Sequence, residues 1–393
     1  MSGALAGLKI IELASYVSGP FASMMLADLG AEVIKIEVPG QGDPFRGWGH
    51  EGYSPTFRIL NRNKRSLCLN LQSVEGKEIF LKLASDADVL IENMRPGALE
   101  RLGLGYDTLA AANPRLVYCA ISGYGSDGPY RDRPGYDTIG QAMGGLLTVL
   151  TDRSHPTGTG ASLSDHLTGL YALYAIQGAL LARVQTGRGQ KVETSLLQAT
   201  VAFCSENGVR YLESDIVADR NTRLHTAQVY AFAAGDGLPF VVHLSSPQKF
   251  WHSLVAAIER SELRDDPRFI DRSARVRNYD ALDAILRDVF ATAPRTTWLD
   301  RLEASDVPAA PILDMKEVFD DPQVKHLGMV VEMSHPTMGP VRQVGSGIRM
   351  SDTPPQLRTA PPTLGENTRE ILAGLGYSND ALLAMTASGV IQG

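Results

Sequence analysis

Asp165 carries the first chemical argument in this sequence. It stands in Gly160-Ala161-Ser162-Leu163-Ser164-Asp165-His166, where a polar stretch runs into a long apolar one. Aspartate is a favoured helix cap, and Ser-x-x-Asp is ordinary helix-start vocabulary. A nucleophile can use the same place. Helix N-terminal amides favour an ionised carboxylate, and a dry cleft leaves that carboxylate reactive. On these residues alone, capping and catalysis both stay open. Asp137 and Glu92 are further acids at expected loop edges, where an isolated carboxylate defaults to a structural ion pair.

Residues 57–66 concentrate Arg58, Arg62, Lys64 and Arg65 in an acidic chain. A salt-bridged face is the plainer reading; a phosphate pocket is the sharper one, because arginine forks match phosphate oxygens. Arg95, Arg101, Arg131 and Arg133 add positive charge near strand ends or the loops after them. Gly123-Tyr124-Gly125-Ser126-Asp127-Gly128 has the G-x-G-x-x-G spacing of a dinucleotide loop. A helix must begin inside that motif to meet a pyrophosphate. Pro129 to Gly135 cannot form one, and Met143 stands where an acid is needed. A nicotinamide or flavin oxidoreductase is therefore disfavoured. Cys68, Cys119 and Cys204 are odd in number, far apart and set among apolar neighbours, so no disulfide framework is expected. The histidines have no metal-site spacing, and no metal is expected.

The elements that position these groups alternate strand and helix. Residues 8–13 and 32–37 read as buried strands. Pro20 suits the first position of a helix ending near Leu29, with Gly30 as its stop. Strands are expected at 66–71, 89–93, 116–122 and 191–195, with helices at 73–84, 98–102, 163–185 and 196–211. The stretch 39–54 reads as a long loop. Such β/α repetition predicts a doubly wound, Rossmann-like parallel sheet. The 163–185 helix is apolar nearly all round, which suits a core or an interface. After about residue 215 the character changes. Hairpin strands at 229–233 and 240–244, helices at 247–258 and 279–290, and an extended connector at 307–311 predict a smaller inserted α+β domain at 225–315. The large domain is expected to comprise 1–215 and 325–393, with strand character returning at 330–333 and 341–344 and a short terminal helix near 368–375.

The chain has 393 residues, 44% hydrophobic and 21% charged, with a net charge of -7. That balance suits a globular protein and argues against one that coats nucleic acid. No apolar run near the ~18 residues that span a bilayer is expected, nor a signal peptide at residues 1–7, so the expected setting is reducing cytoplasm.

Several ordered segments together resemble the family III CoA-transferases, a group that also contains α-methylacyl-CoA racemase. They are residues 7–12, Gly19-Pro20, 29–37, Gly42-Asp43, 61–66, 88–93, Arg95-Pro96-Gly97, Gly135-Tyr136-Asp137, 141–145, 186–190 and 360–368. The resemblance implies that Asp165 is the nucleophile. It implies that Arg101 contacts CoA phosphates, and that Val17, Ser18, Val38, Leu69, Gln72, Asn93, Met94, Arg95, Tyr136 and Asp137 line the CoA thioester. It further implies a CoA thioester as substrate rather than a tightly bound cofactor, with small organic acids as partners and an interlocked homodimer. Val17 stands where formyl-CoA transferase has a glutamine, and Leu244 to Pro247 replace its glycine-rich loop; both weigh against oxalate and formate chemistry. Tyr136 stands where the racemase branch has a histidine, and a tyrosine with a pKa near ~10 is a poor base at neutral pH. CoA transfer, with succinyl-CoA as donor and a small carboxylic or dicarboxylic acid as acceptor, is therefore expected ahead of racemisation by α-proton exchange. A non-catalytic CoA-binding protein is a further alternative. Acceptor choice is expected to depend on the small domain and on loops near Val17, residues 43–50 and Leu244; for Arg46 and His225, pairing with a second carboxylate is the sharper reading and a structural or solvent-facing role the plainer one.

Overall fold

A computed structural model describes residues 3–49 and 53–393. Two compact units divide the chain. The first comprises residues up to Leu147, Gly158–Gly208 and Gly328–Gly393; the second comprises Thr148–Thr157 and Val209–Leu327.

The first unit is built on β1 (Lys9–Leu13), β2 (Glu32–Glu37), β3 (Lys64–Leu69), β4 (Val89–Glu92), β5 (Val117–Ser122) and β6 (Lys191–Ser195). These lie in the order 3-2-1-4-5-6, all parallel, and Ile391–Gln392 adds an antiparallel edge beside β3. Sequence reversal between β1 and β4 makes their carboxyl ends the switch point of a doubly wound sheet, where such folds open a crevice. Alternate side chains serve opposite faces. Ile10, Val89, Ile91, Val117 and Cys119 join one core, and Ile11, Leu90 and Tyr118 join the other. Strands apolar on both sides must be covered twice, which is why helices flank the sheet.

Four helices matter for the site: α1 (Ser18–Asp28), α2 (Asp137–Met143), α3 (Leu163–Thr186) and α4 (Leu196–Phe203). α3 buries Ala172, Ile176 and Ala179 in the core below α1, β5 and β6. Gly169 permits the approach of α1: a β-carbon there would lie 2.8 Å from the Ser18 carbonyl oxygen. The opposite face of α3 leaves Leu170, Tyr174, Leu181 and Val184 exposed. By length and composition α3 is apolar enough to cross a membrane, which corrects the expectation that no such run exists. Gly169, Ala172 and Ala179 are small where the helix packs closely, while Arg183, buried near its end, is paired with Asp88.

Other corrections are local. α1 begins at Ser18, so Pro20 is its third residue rather than its first; its missing N–H falls among the first-turn donors that have no helical partner. β3 starts at Lys64, ahead of the expected Ser66, since the ladder with β2 already pairs Lys64 with Val33. Cys204 interrupts the expected 196–211 helix, giving α4 and a separate Ser205–Ser214 helix. Val330–His335 and Gly339–Val344 form their own antiparallel hairpin. A helix at Asn379–Ala387 and the edge strand extend the tail beyond the expected 368–375 helix.

The second unit has an antiparallel sheet of Val229–Ala233, Pro239–His243 and Ala309–Pro311. The last of these is the expected extended connector, recruited as a third strand. Phe240, Trp251, Phe290 and Trp298 fill its core.

Candidate active site

The site is assembled from the loop after β1. Glu12, Lys35, Lys64 and Asp43 form a neutral cluster of fully buried charges. Lys35 Nζ donates to Glu12 Oε1 (2.6 Å) and to the Ala14 carbonyl (2.7 Å), and forms an ion pair with Asp43 Oδ2 at 2.9 Å. Lys64 Nζ donates to the Pro20 carbonyl and Asn61 Oδ1, and forms an ion pair with Glu12 Oε2 at 2.7 Å. Both lysines are thus satisfied, as buried charges must be. Paired with two lysines, Glu12 is held down at about 2 despite its burial, whereas burial pushes Lys64 down to about 8. Arg62 pairs with Asp28, and Arg65 with Glu32 and Glu370. The salt-bridged reading therefore accounts for most of residues 57–66.

From the far side, Asn93 grips the same loop. Its Oδ1 accepts from the Ser15 N–H (2.9 Å) and its Nδ2 donates to the Ser15 carbonyl (2.7 Å). Tyr16 follows in the left-handed region at φ 66°. Its N–H points at Asp43 Oδ1, 3.4 Å away.

Asp165 is the third residue of α3, and its side chain caps nothing; Ser162 occupies the cap position without a side-chain bond. The Asp165 N–H donates instead to Asp137 Oδ1 (3.1 Å). Asp137 Oδ2 accepts from Gln141 Nε2 (2.6 Å), and Gln141 Oε1 accepts from Thr159 Oγ1 (2.7 Å). Gly140 lets α2 approach, since any β-carbon there would overlap Ser164 Oγ and Leu196. Burial, and then the neighbouring Asp137, push the Asp165 carboxyl up to about 7, opposed by a hydrogen bond from Ser18. The expectation that helix amides hold it ionised is therefore corrected. Desolvation outweighs the helix terminus.

Asp165 opens into a cavity of about 230 Å³ with Tyr16, Ser18, Asn93, Met94, Arg95, Arg131, Arg133 and Tyr136. A neighbouring cavity of about 170 Å³ shares Met94, Pro96 and Arg131 with it and adds Glu92, Glu100 and Lys191. Burial pushes Glu92 up to about 7, although its carboxylate accepts from the Met94 N–H. In the second cavity, Gly97 adopts φ 80°, and a β-carbon on it would lie 3.1 Å from both Arg101 Nη1 and Arg131 Nη2. Neither guanidinium enters an ion pair among the described residues.

The structure thus brings together Asp165, Ser18, Asn93, Met94, Arg95 and Tyr136. Asp137 sits behind Asp165, and Arg101 stands at Gly97. Val17 and Leu69 lie in hydrophobic cores, and Val38 and Gln72 lie on exposed turns outside the cavity. Arg46 is consumed by Glu37, the Pro362 carbonyl and the Phe57 ring. His225 stacks on Tyr279. His50, at the end of the 43–50 loop, lies outside the described residues. The glycine-rich 123–128 segment is turns with no helix until Asp137. Sequence reasoning passed over Tyr16 because a left-handed tyrosine leaves no mark in a residue string. It named Arg131 only as local charge.

The sequence pattern of CoA-transferase family III matches residues 5–368. The chain belongs to CoA-transferase family III. It is a transferase enzyme. This family III CoA-transferase is 38% identical to a succinyl-CoA:glutarate CoA-transferase of Mus musculus, over 99% of this chain and 90% of that one. It is 35% identical to a formyl-CoA:oxalate CoA-transferase of Streptomyces avermitilis, over the full length of both. A crystal structure of a CAIB/BAIF family protein from Brucella suis superposes with a TM-score of 0.84 at 36% identity, covering 95% of this chain and 100% of that chain.

Proposed function

We propose that this CoA-transferase moves CoA from succinyl-CoA to a small carboxylic or dicarboxylic acid, using Asp165 as nucleophile. One observation carries the reading: Asp165 is a half-buried carboxylate facing a cavity lined by Arg95, Arg131 and Arg133 and by residues 93–96 and 133–136. Asp165 attacks the thioester carbonyl and expels CoA thiolate, leaving an acyl-aspartyl anhydride. The thiolate attacks the aspartyl carbonyl, freeing the donor acid and forming an aspartyl-CoA thioester. The acceptor carboxylate then displaces the thiolate to give a second anhydride, and the thiolate closes the cycle on the acceptor's acyl carbon. One thioester replaces another, so no ATP is required. Ser18 stabilises the ionised Asp165, and burial excludes water that would hydrolyse the anhydride.

Arg101 and Arg131, converging at Gly97, suit the CoA phosphates. Asn93, Met94, Arg95 and Tyr136 line the thioester end. The relatives are named for CoA transfer between acids, which supports transfer over racemisation. The same reading includes an interlocked homodimer in the cytoplasm, with no nucleic acid or membrane partner. The exposed apolar side chains of α3 support coverage by a second chain, and the free thiols of Cys68, Cys119 and Cys204 suit a reducing compartment.

The test is mass spectrometry of the Asp165 peptide after mixing with succinyl-CoA and trapping with hydroxylamine or borohydride, with Asp165→Ala as control. A modified Asp165 is expected. An unmodified Asp165, with several donors tried, combined with exchange of an α-proton for deuterium, would replace transfer by racemisation.

A further inference from the structure

We propose that Tyr16 is a specificity residue, whose phenol donates a hydrogen bond to a carboxylate of the organic acid held beside Asp165. The proposal rests on the transferase reading above and adds to it the group that reads the acid.

The fold fixes this one side chain with unusual thoroughness. The carbonyl before it, at Ala14, is held by Lys35; both backbone groups of Ser15 are held by Asn93; its own N–H faces Asp43. The result is a non-glycine residue at φ 66°. Strained backbone of this kind persists only where its surroundings over-determine it, and it clusters at functional sites. The four-charge cluster that does the holding is itself buried and has no contact with the cavity. Its consequence at the surface of the site is the placement of Tyr16.

The ring stands in the same cavity as Asp165. It packs edge-on between Phe45 (5.4 Å between centroids) and Tyr136 (6.0 Å), which sets its direction. Burial of the ring, the neighbouring Tyr136 and Asp43 all raise the pKa of its hydroxyl. At neutral pH the phenol therefore stays a donor. A neutral donor suits this task. The acid must be oriented and yet keep its negative charge, because its carboxylate is the attacking group when CoA leaves Asp165. A guanidinium fork would hold the same carboxylate more tightly and blunt it.

The experiment uses the full chain with Tyr16→Phe and Tyr16→Leu, succinyl-CoA as donor and glutarate as acid. Tyr16→Phe keeps the ring and its packing, so folding is preserved. Losing one hydrogen bond to a charged group is expected to raise KM for glutarate about tenfold. KM for succinyl-CoA, and trapping of Asp165 without added acid, are expected to stay at wild-type values. Two results overturn the proposal: an unchanged glutarate KM in Tyr16→Phe, or impairment in Tyr16→Leu alone, which would make the ring a spacer. A tenfold rise in glutarate KM with no trapped Asp165 in wild-type protein would uphold the Tyr16 contact and sink the nucleophile assignment instead.

Discussion

The backbone N–H of Asp165 donates to the carboxylate of Asp137 across 3.1 Å. One acid therefore sits over the helix start on which the other is mounted, and satisfies a donor that a cap residue would otherwise take. Asp137 also contributes a negative charge that disfavours ionisation of its neighbour.

The pH profile should show this pair. Asp165 must be ionised to attack, and its carboxyl is pushed up to about 7. kcat/KM is expected to rise with pH through about 7 and then level off. Asp137→Asn removes the negative neighbour, so the rising limb should move to lower pH. Rates measured across roughly pH 5 to 9 check it. A limb that does not move in Asp137→Asn would show that burial alone holds the proton.

Stability should respond in the opposite sense. A carboxyl whose folded pKa lies above its ordinary value of 3.8 binds its proton better in the folded chain. That contribution is complete below the ordinary range and is lost as pH rises through about 7. Asp165→Asn is therefore expected to be more stable than wild type at alkaline pH, by about 2 kcal/mol after discounting for partial exposure. No gain is expected at acid pH. Urea denaturation at the two extremes decides.

Asn93→Ala removes both bonds that hold Ser15. Two side-chain-to-backbone bonds at about 1 kcal/mol each predict a loss of roughly 2 kcal/mol. Because the released loop carries Tyr16 and leads into Ser18, kcat should fall by more than a merely less stable protein would show. The check is kcat measured well below the melting temperature. Wild-type kcat there would mean the loop keeps its shape without the clamp.

Glu12→Gln leaves two buried ammonium groups facing a single carboxylate. Breaking a buried network in this way costs about 3–5 kcal/mol. The deficit should shrink as pH is raised, since Lys64, already pushed down to about 8, can shed its proton to relieve the imbalance. Denaturation midpoints across pH measure it. An unchanged midpoint near neutrality would argue that water enters the cluster.

How far the sequence revealed the molecule depended on range. Buried strands such as 32–37 announce themselves through apolar runs between turn residues, and β/α alternation makes their sheet parallel; their order in it, 3-2-1-4-5-6, appears only in the fold. Elements set by distant partners were less visible. Ala309–Pro311 is too short to signal a strand until Pro239–His243 offers it an edge. Lys64 is a charged residue that joins β3 beside Val33 of β2, with Glu12 to pair its ammonium. At the site, position and the family resemblance single out Asp165 as a candidate, but the direction in which its carboxyl is shifted is not legible there. Helix amides are local and legible, whereas desolvation and the approach of Asp137, 28 residues away, exist only after folding. Tyr16 lay beyond reach for the same reason.

Ile391 pairs with Leu69 across the outer edge of β3. During synthesis that edge waits for roughly three hundred further residues to leave the ribosome, which at ~5–20 residues per second means tens of seconds. Until then β3 presents a row of unpaired amides and carbonyls, a template for unwanted pairing between nascent chains. The sheet is sealed by residues some three hundred positions downstream, so a chain lacking Ile391 and Gln392 would still contain Asp165 and its cavity, yet carry an adhesive flank. Quality control of this enzyme in a cell is thus tied to two residues far from its chemistry.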